Sequence, residues 1–119
     1  MNQFEDLISM GKLTKALVVG KHTIKITTLD SEAQSALVSS MPNEYTDAQK
    51  LDLAQRTMVA YSIESIDGRV IPNADKLALV NKFQPALINI LFSEYESMLV
   101  EQNNIFEDVK KNIFPKKTP

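Results

Sequence analysis

Cysteine and tryptophan are absent from this sequence of 119 residues, histidine occurs once and glycine three times. Without cysteine the chain can form no disulfide and offers no thiol nucleophile and no sulfur ligand for zinc. The single histidine, His22, cannot supply the several histidine ligands of a tetrahedral metal site. The glycines stand at positions 11, 20 and 68, so no glycine-rich phosphate-binding pattern exists. We therefore expect neither a metal nor a cofactor.

Long hydrophobic runs and a strong net charge are also missing. No stretch approaches the roughly 18 apolar residues of a membrane span. The first ten residues contain Glu5 and Asp6 but no basic residue, which differs from a signal peptide. A net charge of −2 gives little general attraction for nucleic acid. We expect no membrane association and a single globular domain over residues 1–119.

No arrangement of acid, base and nucleophile is recognisable in the sequence, so we expect no enzyme. His22 lies beside a predicted hairpin turn with no acidic neighbour along the chain, which is typical of a surface histidine at a strand end. Glu94 and Glu96 lie two positions apart on a predicted helix. Their side chains therefore point to different faces and cannot form a carboxylate pair.

Four lysines between residues 110 and 117 are the feature that most favours a small regulatory or nucleic-acid-binding domain. No aromatic platform or arginine fork accompanies them, and Glu107 and Asp108 lie just upstream. Lysines are also favourable at the C-terminal end of a helix, where they interact with its dipole. Nucleic-acid binding is therefore the weaker alternative.

The N-terminal part of the chain predicts a β-hairpin. Two segments rich in β-branched residues flank Gly20-Lys21, a two-residue loop with glycine first, as a type II′ turn requires. This turn pairs Leu17 with Ile24 and makes one face of the hairpin apolar. Because two strands are not stable alone, helices must pack on that face. The apolar face would comprise Leu13, Leu17, Val19, Ile24 and Ile26.

The middle of the chain predicts a long helix with an apolar stripe. Thr46 to Gln49 matches a capping box, and the stripe continues from Leu51 to Ile66. Asp67-Gly68 is expected to end this helix. Residues 69–71 should be extended, because Pro72 disfavours helix at the residue before it. We place them beside the hairpin as a third strand.

Further helices are predicted on both sides of this segment: a short one over residues 2–10, one capped by Asp30 and one capped by Asn73. Pro85 is expected to start the last helix, which either runs 25 residues or more or breaks near residue 102. The fold class is therefore α+β and mainly helical, with an N-terminal antiparallel hairpin and a third short strand near 69–71 packed against four to five helices.

Apolar residues near both ends exceed what a compact core of this size should need. Either they contact a partner's groove or sheet, or the last helix folds back over the hairpin. Residues 1–11 and 107–119 could then serve as partner-binding or flexible arms. The predicted partner-contact residues are Phe4, Leu7, Ile8, Tyr95, Leu99, Phe106 and Phe114.

Three segments carry a resemblance to small assembly proteins of tailed bacteriophages. The first is the hairpin LVVGKHTIKITTLDSEAQ, in which a strand enters a helix through Thr-Leu-Asp. The second is VAYSIESIDGRVI with its Ile-Asp-Gly turn, and the third is the helix LINILFSEYESMLVEQ. Through their order and spacing, over about residues 12–106, the chain resembles tail assembly chaperones and the related baseplate-hub assembly proteins of contractile-tailed phages.

The resemblance implies a non-enzymatic protein that acts in the host cytoplasm during virion assembly. It would bind another tail or baseplate protein, such as the tape-measure, hub or tube protein, and it could be an oligomer. Long-tailed phage chaperones often occur as a frameshifted pair with an extra C-terminal domain, whereas this chain ends in a short basic tail. A short form, a hub-assembly relative and a structural subunit retained in the virion therefore all stay open.

Overall fold

The computed structural model describes residues 4–39 and 44–115, apart from the side chain of Val38. The chain has the predicted α+β, mainly helical fold, with one antiparallel sheet and helices packed on it. Along the described residues the elements are α1 (Glu5–Ile8), β1 (Thr14–Val19), β2 (His22–Thr27), α2 (Ser31–Ser39), α3 (Asp47–Ser62), β3 (Ile63–Ile66), β4 (Arg69–Val70), α4 (Asn73–Val80) and α5 (Pro85–Lys111).

The first hairpin forms in the predicted register, with Leu17 opposite Ile24. Gly20 has a φ of 61°, a value that glycine adopts without strain, and it opens the two-residue turn. Ile24 and Ile26 of β2 are buried, whereas Thr23 and Lys25 are exposed and Thr27 is half-buried. The predicted apolar face of the hairpin is thus the face on which the core lies.

The predicted continuation of α3 to Ile66 is wrong, because the helix ends at Ser62 and residues 63–66 form β3 beside β2. Ile63 and Ile66 are three positions apart, which suggested a helix face. In the sheet the same spacing is produced by a β-bulge, in which Glu64 is the extra residue. The bulge lets both isoleucines pack on the core.

Asp67-Gly68 forms a hairpin turn between β3 and β4, not the end of a helix. Both residues have positive φ, 53° and 81°, as a type I′ turn requires. The predicted strand at 69–71 exists as β4, Arg69–Val70. It is the fourth strand rather than the third, and it pairs with β3 rather than with the first hairpin.

The predicted N-terminal caps are confirmed for α3 and α2, whereas the cap predicted for α4 is wrong. Thr46 and Gln49 form the capping box of α3, and the Asp30 carboxylate accepts the Ala33 N–H at 2.8 Å at the start of α2. Asn73 does not cap α4, because the helix already includes it and Pro72 occupies the cap position. The predicted helix over residues 2–10 is confined to the single turn α1 among the described residues.

The core lies between the sheet and the three helices α3, α4 and α5. Proline at the first position of α5 starts this helix as predicted, and the helix then runs unbroken for 27 residues. No helix among the described residues has the length and apolar character needed to cross a membrane. The buried apolar cluster consists of Ile24, Ile26, Val59, Ala60, Ile63, Val80, Ile88, Leu91 and Met98.

Candidate partner-binding surface

The two halves of α5 have different environments. Its buried residues end at Met98, and every described residue after it is half-buried or exposed. A helix of 27 residues is about 40 Å long, so the second half extends beyond the core. The molecule is correspondingly elongated: its radius of gyration is 16.8 Å, against about 13.5 Å expected for a compact domain of this length.

The second half of α5 packs on the segment between α1 and β1. The Gln102 side-chain amide donates a hydrogen bond to the Gly11 carbonyl at 3.1 Å. The Phe106 ring lies directly against Gly11, so close that a Cβ built there would be 2.4 Å from a ring carbon. Gly11 also has a φ of 77°, and glycine is therefore required here for two reasons.

An open groove of about 540 Å³ lies beside this contact. Its lining includes Ile8 and Met10 from the N-terminal segment and Phe106 from α5. The end of β2, the start of α2 and Tyr61 of α3 complete it. The groove therefore joins apolar side chains from both ends of the chain with polar groups of the α2 N-terminus.

The structure brings together two of the predicted contact residues, Ile8 and Phe106, which line the same groove. Ile8 is 68% exposed and Phe106 is 40% exposed. Phe4 and Leu7 lie on or beside α1 with more than half of their surface exposed. We use the name terminal apolar surface for the groove residues Ile8, Met10 and Phe106 together with exposed apolar residues of the same two segments. These additional residues are Phe4, Leu7 and Ile105.

The other predicted contact residues lie elsewhere. Phe114 follows the end of α5 and is 80% exposed, but it does not line the groove. Leu99 is half-buried. Tyr95 is 2% exposed and belongs to the core, which corrects its assignment to an open surface. Met10 and Tyr61 also line the groove, but they were not among the predicted contact residues, since their proximity depends on the tertiary fold.

Tyr95 fixes α5 to the rest of the molecule. Burial raises the pKa of its phenol, and a backbone hydrogen bond with Leu29, at the end of β2, partly opposes this increase. The phenol therefore stays neutral at physiological pH and joins α5 to the connection between β2 and α2. Its function is structural.

A row of acidic residues runs along the side of α5 that faces β1. Glu94, Glu101 and Asp108 recur at seven-residue spacing, which places them on one side of a helix. Glu94 accepts a hydrogen bond from the Lys15 ammonium at 2.7 Å, and this bond raises the pKa of Lys15. The charge of Glu101 acts in the same direction on Lys15. Phe106 is on a different side of α5 and lines the groove.

His22 has an acidic neighbour that the sequence analysis did not identify. Asp67 lies 45 positions away, yet its carboxylate contacts the His22 ring at 2.5 Å and accepts the Thr23 N–H at 2.8 Å. These two hydrogen bonds lower the pKa of Asp67. The pair is exposed and joins the turns of the two hairpins; no hydroxyl or thiol is held against it in the described contacts.

Lys76 is the one charged residue that is buried among the described residues. Desolvation lowers its pKa, and the charge of Glu64 on the bulge partly opposes this effect.

No group of three or more histidine or acidic side chains that could hold a metal occurs within residues 4–39 and 44–115. Of the four C-terminal lysines, the two at 110 and 111 lie in the last turn of α5.

Comparisons with known proteins give no relative: no family model, no curated protein and no solved structure matches this chain.

Proposed function

We propose that this chain is a non-enzymatic assembly protein of a tailed bacteriophage that binds another tail or baseplate protein through its terminal apolar surface. The resemblance of the three segments described above supplies the phage context. The observation that supports binding is the grouping of Ile8, Met10 and Phe106 around one groove. Phe106 follows Met98, the last buried residue of α5, and Ile8 and Met10 come from the N-terminal segment.

The proposed mechanism is burial of apolar side chains that the chain leaves partly in water. Leu7, Ile8 and Phe106 are each at least 40% exposed, and burying a large apolar side chain contributes about 1.5–3 kcal/mol. A partner helix or extended segment in the groove would cover them together. An assembly protein of this kind would hold a tape-measure, hub or tube protein until that protein joins the growing tail.

The test is binding of the tail and baseplate proteins encoded beside this chain, measured by co-purification and calorimetry. We expect Ile8→Asp to weaken binding at least tenfold while the circular dichroism spectrum stays unchanged, because Ile8 is not part of the core. Val70→Asp, an equally exposed apolar position on β4, is the matched control and should bind normally. Equal binding by both variants would contradict the proposal.

Phe106→Asp is a second variant with a more demanding interpretation. Because Phe106 packs on Gly11, its replacement should both weaken binding and loosen the N-terminal segment.

Mass spectrometry of purified virions separates the two forms of the proposal: absence of the chain indicates a transient assembly factor, and its presence indicates a retained subunit.

A further inference from the structure

The sheet has one long free edge, which is strand β1. The strand order is β1-β2-β3-β4, so among the described residues β1 pairs with β2 alone. It has six residues, whereas β4 at the other edge has two. An unpaired strand of this length presents a row of backbone donors and acceptors that can bind another strand.

The backbone groups at this edge can be assigned. The Thr28 N–H donates to the Leu13 carbonyl at 3.0 Å, so the odd-numbered residues of β1 bond to β2. The groups of the even-numbered residues, Thr14, Ala16 and Val18, therefore point away from β2. Their side chains lie on the solvent face of the sheet.

β1 has neither a proline nor a bulge to prevent strand pairing, and Lys15 is its one charged residue. Its register with β2 is unbroken. The charge of Lys15 is turned to the inner face, where Glu94 binds it. Val18, on the solvent face, is 80% exposed.

The edge is complementary to itself. If two β1 strands run antiparallel with Ala16 opposite Ala16, each Thr14 lies opposite a Val18 of the second copy. All three pairs are then of the hydrogen-bonded type and exchange about six backbone hydrogen bonds. Each exposed Val18 gains a β-branched cross-strand neighbour, which stabilises antiparallel sheets.

The charges at the two ends of the strand match in the same register. Continued beyond the ends of the two strands, this register would bring the turn of the second copy, with Lys21, toward Gly11, which is held by Gln102 of α5. Glu101 is the neighbour of Gln102 and belongs to the acidic row that faces β1. Lys21 is exposed at its turn. The two-fold arrangement therefore places a lysine of one copy near Glu101 of the other, twice.

We infer that two copies of this chain pair through β1 and form a continuous eight-stranded sheet. This inference rests on the backbone groups of β1, whereas the proposed function rests on apolar side chains of the terminal apolar surface, so either can fail without the other. An interface of this size is small, and the dimer should form at micromolar concentrations.

Disulfide crosslinking tests the register, since the chain has no cysteine of its own. Opposed Cα atoms in a hydrogen-bonded pair are about 5.5 Å apart, within reach of a disulfide. The two Val18 positions would be about 14 Å apart. We expect Ala16→Cys to form a covalent dimer at least tenfold faster than Val18→Cys, and a mixture of Thr14→Cys and Val18→Cys to form heterodimers. No preference for position 16 would overturn the inference.

Charge exchange tests the same arrangement without oxidation. Sedimentation or light scattering should give twice the 13.3 kDa chain mass for the parent protein at high concentration. Lys21→Glu should raise the dissociation constant at least tenfold, and adding Glu101→Lys should restore it. Lys82→Glu, at another exposed lysine, is the control and should have no effect. A parent protein that stays monomeric, or a double variant that does not recover, would overturn the inference.

Discussion

At the scale of single residues, Lys76 occupies an unfavourable position for a charged side chain. Most of its side chain is buried on α4, and desolvation lowers the pKa of its ammonium. The unfolded chain therefore binds more protons than the folded chain between the lowered pKa and the usual value near 10.4, and stability rises with pH across that range. At neutral pH the charge costs stability.

Lys76→Met should accordingly increase the free energy of unfolding by about 1 kcal/mol at pH 7, because methionine fills a similar volume without a charge. The alkaline rise in stability attributable to Lys76 should disappear in the same variant. Urea denaturation at several pH values measures both effects. Lys82→Met, at an exposed lysine, is the control, and a gain of equal size there would contradict this explanation.

Gly11 is the residue on which the contact between the two ends of the chain depends. A side chain at this position would both clash with Phe106 and require an unfavourable positive φ. Gly11→Ala should lower stability by about 1–2 kcal/mol and increase amide hydrogen exchange in residues 102–109. Gly20→Ala, which has a similar φ but open space around it, should leave exchange in α5 unchanged.

At the scale of elements, the bulge in β3 determines which residues reach the core. Deleting Glu64 would turn Ile63 to the solvent face, since neighbouring strand positions face opposite sides. We expect this deletion to abolish cooperative unfolding. Glu64→Ala keeps the extra residue and should cost less than about 1 kcal/mol. Thermal unfolding followed by circular dichroism compares the two, and a folded deletion variant would show that the register adapts.

The elements that were predicted correctly are those whose signals are local. The first hairpin follows from Gly20 and its flanking strands, and α3 starts where Thr46 and Gln49 can cap it. β3 was missed because a three-residue spacing of isoleucines is shared by helices and by a bulged strand. Only pairing with β2, which is distant in sequence, selects the strand.

The candidate surface was predicted in part for the same reason. The spacing of apolar residues along α5 does not reveal which part of the helix the sheet covers. Tyr95 therefore looked equivalent to Phe106, although the first is in the core and the second lines the groove. The meeting of Ile8 with Phe106 depends on the tertiary fold, and each residue's exposure had to be observed.

At the scale of the whole molecule, the chain has a compact part and an extended part. The compact part contains the sheet and the first half of α5; the extended part contains α1, residues 9–13 and the second half of α5. The two proposed interfaces use different groups: apolar side chains around Phe106 in one case, and the backbone edge of β1 in the other. A dimer could therefore present two grooves at once, which would increase its avidity for a partner with repeated subunits.

The pairing of β2 with β3, next to the contact between Asp67 and His22, has a consequence for the order of folding. Each hairpin closes through neighbouring residues, whereas the seam between β2 and β3 must bring together positions more than 30 residues apart. Closing such a loop costs more chain entropy than closing either turn. We therefore expect this seam to set the folding rate of the sheet, with the hairpins and α3 forming earlier.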